Sequence, residues 1–156
     1  MAHEFTITRL VEFAETDMAG IMHFSNYFRF MEAVEHAFFR SLGLTVHQST
    51  PQGMTGWARV HASCDFRAPL RYQDEVEIRL LVAEKGAKSM TYIAEFRRLN
   101  GEPASGQHRV VARGRWSVVC VSRDPGQAQM RSVEIPADVE AKIQAAPPEA
   151  LNERNA

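Results

Sequence analysis

Cysteine is scarce in this chain, and so is any imbalance of charge. The two cysteines, Cys64 and Cys120, stand far apart with no CxxC or other ligand spacing, so neither a disulfide framework nor a zinc motif is indicated. Both fall on the apolar phase of predicted strands and read as buried free thiols. A net charge of −1 provides no broad attraction for nucleic acid or an anionic membrane. No apolar run approaches the ~18 residues of a membrane-spanning helix. The N-terminal MAHEFTITRL lacks a basic segment followed by an apolar one. The six histidines are scattered. These absences predict a soluble, cytoplasmic protein with no metal requirement, no nucleic-acid partner and no membrane insertion. Internal repeats and interdomain linkers are also missing.

What remains is an ordinary globular balance, 45% hydrophobic and 24% charged over 156 residues, enough to bury one core. Phe5, Ile7, Val11 and Phe13 alternate with polar residues as a half-buried strand does. Tyr27, Phe30, Met31, Val34, Phe38 and Leu42 then recur every three or four residues, the spacing of a helix face. Ser25 or Asn26 can cap that helix at its start, and Gly43 followed by Leu44 reads as its left-handed stop. Strand patterns follow. Ala58, Val60, Ala62, Cys64 and Phe66 share one phase. Val76, Ile78, Leu80 and Val82 share another, with Lys85-Gly86-Ala87-Lys88 as a short hairpin connection to Met90, Tyr92, Ala94 and Phe96. After the turn-rich NGEPASG comes a last strand from Val110 to Cys120. Pro136 can open a short helix reaching about Ile143. One α+β domain over residues 1–146 is predicted, with about five antiparallel strands curled around one long helix and a flexible tail from 147 to 156.

The segment VEFAETDMAGIMHFSNYFRFME carries the most specific pattern: a strand, then Thr16-Asp17, Gly20, and Asn26-Tyr27 opening the long helix. In that structural order it resembles the hotdog fold, and specifically the 4-hydroxybenzoyl-CoA thioesterase family of acyl-CoA thioesterases. CDFRAPLRYQDEVEI, KGAKS and IPADV extend the likeness over about residues 4 to 143. One branch of related thioesterases has a histidine where this chain has Phe24, with His23 displaced by one. The 4-hydroxybenzoyl-CoA branch has an aromatic residue there, as here. The resemblance implies hydrolysis of an acyl-CoA with the Phe24 backbone N–H polarising the thioester carbonyl. It implies no cofactor, coenzyme A being part of the substrate. It places a basic-plus-hydroxyl pair, Lys88 and Ser89, against coenzyme A, and builds each site between subunits of a homodimer or homotetramer.

The residues support part of this on their own. Asp17 can be a turn-forming aspartate. It is also an anion at neutral pH that can attack a thioester or activate water, beside a helix start whose free amides can hold the resulting oxyanion. Gly20 either permits a path closed to side chains or is a generic loop glycine. Asn26 is a helix cap or a substrate contact, and Tyr27 a core residue or a pocket wall. His23 can orient Asp17 or line the pocket. Lys85, Lys88, Arg97 and Arg98 lie near the ends of one predicted hairpin, where they either meet coenzyme A phosphates or are solvated charges. An acyl-CoA or acyl-carrier binding module without turnover is the alternative reading, and Asp17 argues against it.

Overall fold

The computed structural model describes residues 1–101 and 110–152. Strand β1, Glu4–Leu10, leads through a short turn to helix α1, Phe24–Ser41. Then come β2 (His47–Thr50), β3 (Gly53–Phe66), β4 (Glu75–Lys85), β5 (Ser89–Arg98), β6 (Val110–Arg123) and β7 (Arg131–Ser132). Two short helices, α2 (Ala137–Glu140) and α3 (Pro148–Leu151), close the described chain. The strands form one sheet in the order β1-β4-β5-β6-β3-β2, antiparallel throughout, with β7 attached to β6. The sheet wraps α1 in the hotdog arrangement. β2 and β7 are additions to the five expected strands; both are short, polar and exposed, so no apolar alternation signals them.

Helix α1 is enclosed because its apolar arc is wide. Tyr27, Phe30, Met31, Val34, Phe38 and Phe39 are all buried. They pack on Ile78, Leu80 and Val82 of β4, Tyr92, Ala94 and Phe96 of β5, and Ala112, Trp116 and Val118 of β6. Each such side chain contributes about 1.5–3 kcal/mol through burial. The helix ends as its sequence indicates: Gly43 takes φ +69°, its N–H donates to Arg40 O, and the Leu44 N–H donates to Phe39 O. Its start differs from expectation. The cap is His23, whose extended backbone precedes helical Phe24, so neither Ser25 nor Asn26 holds that place.

Two further departures have local causes. β3 loses its strict alternation at a bulge between Arg59 and His61. Trp57 therefore packs on Phe39 and Arg59 reaches Glu35, while past the bulge Phe66 packs on Tyr27. α2 stops at Glu140, with Pro136 as its cap, rather than running to Ile143. Beyond residue 146, where a loose tail is expected, α3 lies against β4. Ala150 and Leu151 cover Leu81, Ala83 and Ile93, and Arg113 donates to Leu151 O at 2.8 Å. Residues 153–156, and residues 102–109 within the turn expected after β5, lie outside the described residues.

One buried charge stands out. Glu35, 2% exposed, accepts from Arg59 Nη2 at 2.6 Å and Trp116 Nε1 at 2.7 Å. Burial raises its carboxyl above the ordinary range, and Arg59 and Trp116 oppose that rise only in part.

Candidate active site

The segment between β1 and α1 folds into a small hairpin that returns the chain to the helix start. Thr16 and Met22 form an antiparallel bridge, and the Asp17 N–H donates to Ile21 O at 3.0 Å. Asp17 O accepts from the Gly20 N–H at 2.9 Å, closing a four-residue turn. Gly20 sits in that turn at φ +76°, a conformation that disfavours side chains, and no Cβ obstacle lies within 4 Å. Its role is the path of the backbone. The Met22 N–H is fixed to Leu70 O at 2.7 Å, and His23 then opens the helix.

This hairpin brings Asp17 and Phe24 to one cleft of about 510 Å³, lined also by Tyr27, Phe66, Arg67 and Pro69. Asp17 Oδ1 accepts from the Ala19 N–H at 2.8 Å. Among the described residues nothing donates to the other carboxylate oxygen, Oδ2. The first amides of α1 are unequally engaged. Ser25 N–H turns to His23 Nδ1 at 3.4 Å and Asn26 N–H to His23 O at 2.9 Å. The Phe24 N–H donates to no described residue. One free carboxylate oxygen and one free amide thus share an otherwise largely apolar cleft.

Tyr27 is both core and wall. It packs edge-on against Phe66 and Phe96, with ring centroids 4.9 and 5.3 Å away. Burial, reinforced by Cys64, pushes its hydroxyl up to about 12, so it is neutral at physiological pH. The Cys64 thiol is likewise raised to about 12 by burial and then by Asp65, which makes it unreactive. His23 stacks on Phe24 with centroids 4.6 Å apart and bonds Ser25 Oγ at 2.8 Å. Neither His23 nor Gly20 nor Asn26 lines the cleft.

The expected cations divide between two ends of the sheet. Lys85, Lys88 and Ser89 flank the β4–β5 turn, while Arg97 and Arg98 end β5, about 30 Å away at about 3.3 Å per residue. The Asp17 hairpin is tied to the Arg98 end through Leu70 and the Val11–Asp74 contact. Within one chain, then, Lys88 and Ser89 do not meet Asp17. Lys85 is engaged by Glu140 at 2.8 Å and by Ile143 O at 2.7 Å, and Arg97 by Glu95 at 3.2 Å. Lys88 is exposed. Arg67, which sequence reasoning passed over, is the cation in the cleft wall; its place in CDFRAPL was visible, but nothing local distinguished it from a solvated charge. Among the described residues no group of three or more His, Cys, Asp and Glu side chains is placed to hold a metal ion.

The model of the thioesterase-like superfamily matches residues 11–143, a span that includes the hairpin, the cleft and the sheet. The chain belongs to that superfamily. It is 29% identical over 140 residues to the 4-hydroxybenzoyl-CoA thioesterase of Pseudomonas sp., covering 88% of this chain and 96% of that enzyme. The 1,4-dihydroxy-2-naphthoyl-CoA hydrolase of Synechocystis is 25% identical over 118 residues, covering 76% of this chain and 81% of its own. Among solved structures, the gentisyl-coenzyme A thioesterase BH1999 aligns with a TM-score of 0.70 at 27% identity, over 87% of this chain and 99% of that one. Hotdog fold and thioester-hydrolase class are those of this family.

Proposed function

We propose that the protein hydrolyses an acyl-CoA thioester to a carboxylic acid and coenzyme A, with Asp17 as the reacting carboxylate. The observation that carries this reading is the meeting of Asp17 and the unengaged Phe24 N–H in one apolar cleft. A thioester carbonyl oxygen held by that amide, at the positive end of α1, becomes more electrophilic at carbon. The free Asp17 oxygen then either attacks that carbon, expelling the coenzyme A thiolate and leaving an anhydride for water, or takes a proton from the attacking water. No cofactor enters either route. The largely apolar lining limits competing solvation of the carboxylate.

Coenzyme A contacts complete the reading only with a second copy. Lys88 and Ser89 stand at the far end of the sheet from Asp17, so they serve the cleft of a neighbour. β3 supports such an assembly. Among the described residues β2 pairs with it only from Gly53 to Gly56, leaving one edge of Trp57–Phe66 open. Val60 on that stretch is 62% exposed. An open edge with apolar exposure favours strand addition by another chain. The decisive experiment is Asp17→Asn, nearly isosteric but uncharged, assayed against short, long, branched and aromatic acyl-CoAs. The variant should be folded and slow on every thioester the parent cleaves; parental rates would refute the assignment.

A further inference from the structure

We propose that Asn26 is a positioning residue for this hydrolysis: it holds the Asp17 hairpin at a set distance from the helix amides without touching substrate. The inference rests on the thioesterase reading above. Asn26 is the third residue of α1, 8% exposed, and it does not line the cleft. Its Nδ2 donates to Glu15 O at 2.8 Å, across eleven residues of sequence. A carbonyl can only accept, so the amide nitrogen faces Glu15 and the side chain has one useful orientation.

The carbonyl it grips is unusually placed. Glu15 O also accepts from the His23 N–H at 2.9 Å. One backbone oxygen, two residues before Asp17, is therefore held by two donors from the start of α1: the cap residue's main chain and a side chain of the first turn. The next peptide unit forms the Thr16–Met22 bridge, and Asp17 follows at once. Phe24 and Asn26 belong to the same helical turn. That turn thus carries both the open amide and the clamp on the strand that bears the carboxylate, so their separation is set by the rigid geometry of a helix. With the Asn26 donor removed, the His23 bond alone remains at this point and acts as a pivot. Asp17 then swings relative to Phe24 N–H, while the cleft walls are untouched. A shift of about 1 Å between reacting groups costs on the order of 10²-fold in rate.

The test compares Asn26→Leu, Asp17→Asn and the double variant in steady-state hydrolysis. Asn26→Leu keeps the shape and loses the donor. Its kcat should fall on the order of 10²-fold while KM stays within about twofold. The double variant should be no slower than Asp17→Asn alone, because a residue acting only through Asp17 has nothing left to position. Unchanged kcat, a loss confined to KM, or additive losses in the double variant would each overturn the proposal. The second of these would make Asn26 a substrate contact, and the third a general structural residue. If Asn26→Leu does not fold, Asn26→Ala, which only deletes atoms, carries the same comparison. Should Asp17→Asn itself keep the parental rate, the hydrolysis reading fails. If Asp17→Asn is slow and Asn26→Leu is fast, only this inference fails.

Discussion

The two ends of the sheet do different work with similar means. At one end a hairpin of nine residues, from Glu15 to His23, is cross-braced by backbone bonds and delivers a carboxylate beside a helix start. At the other end the β4–β5 turn displays Lys88 and Ser89 outward, with Lys85 engaged by α2. The first end is built inward, with its polar groups oriented by the fold. The second has a depression of about 610 Å³ beside it, walled by Lys85, Glu134 and Glu140, which Lys88 and Ser89 do not line. Reactivity requires fixed geometry, whereas binding a phosphate tolerates a mobile ammonium on a flexible stem. The difference teaches that, on the proposed reading, a single copy would hold two half-sites, each incomplete.

The sharpest way to break that comparison is to disable one end at a time. Asp17→Asn should lower kcat by about 10²–10⁴-fold, the range for loss of a reacting acid or base, with coenzyme A affinity nearly unchanged. Co-expressing Asp17→Asn with Lys88→Ala should then give mixed assemblies in which one cleft turns over with the parental KM, since that cleft regains both halves. If the two ends served the same chain, every active cleft in the mixture would keep the raised KM of Lys88→Ala. A smaller effect is expected from Lys88→Ala alone, a rise in KM of about tenfold at similar kcat, the scale of one charged hydrogen bond. Val60→Lys, placed on the open β3 edge, should shift the sedimentation profile toward monomer and reduce activity with it; an unshifted profile would locate the subunit contact elsewhere.

The smallest expected effect concerns stability, away from both ends. Glu35 has a folded-state carboxyl raised above its unfolded value by burial, so the folded state retains its proton to higher pH. The stability this provides is fully present below the ordinary carboxylate range and is lost as pH rises through the raised value. Thermal melts across that interval should slope downward for the parent and lie flatter for Glu35→Gln.

Much of this was readable in the residues. The alternation in β4, β5 and β6 and the three-to-four spacing in α1 report burial directly, because one face of each element meets the core. The closeness of Asp17 to the start of α1 was also legible, since turn, carboxylate and helix start are neighbours in sequence. Long-range features were not. The β3 bulge redirects Arg59 inward although its phase reads outward, and only the Glu35 carboxylate explains where it goes. Asn26 looked like a cap because caps and tertiary clamps use the same side chains. His23, an uncommon cap, took that place through its ring nitrogen. The separation of Lys88 from Asp17 depends on which end of the sheet each occupies, and strand patterns alone say nothing of that.

The short α3 at the end of the described chain has a consequence for assembly. By lying across Leu81, Ala83 and Ile93 and being tethered through Arg113, it upholsters the outer surface of the sheet with the protein's own backbone. That strip of the sheet is therefore closed to any other surface unless the segment is first peeled away.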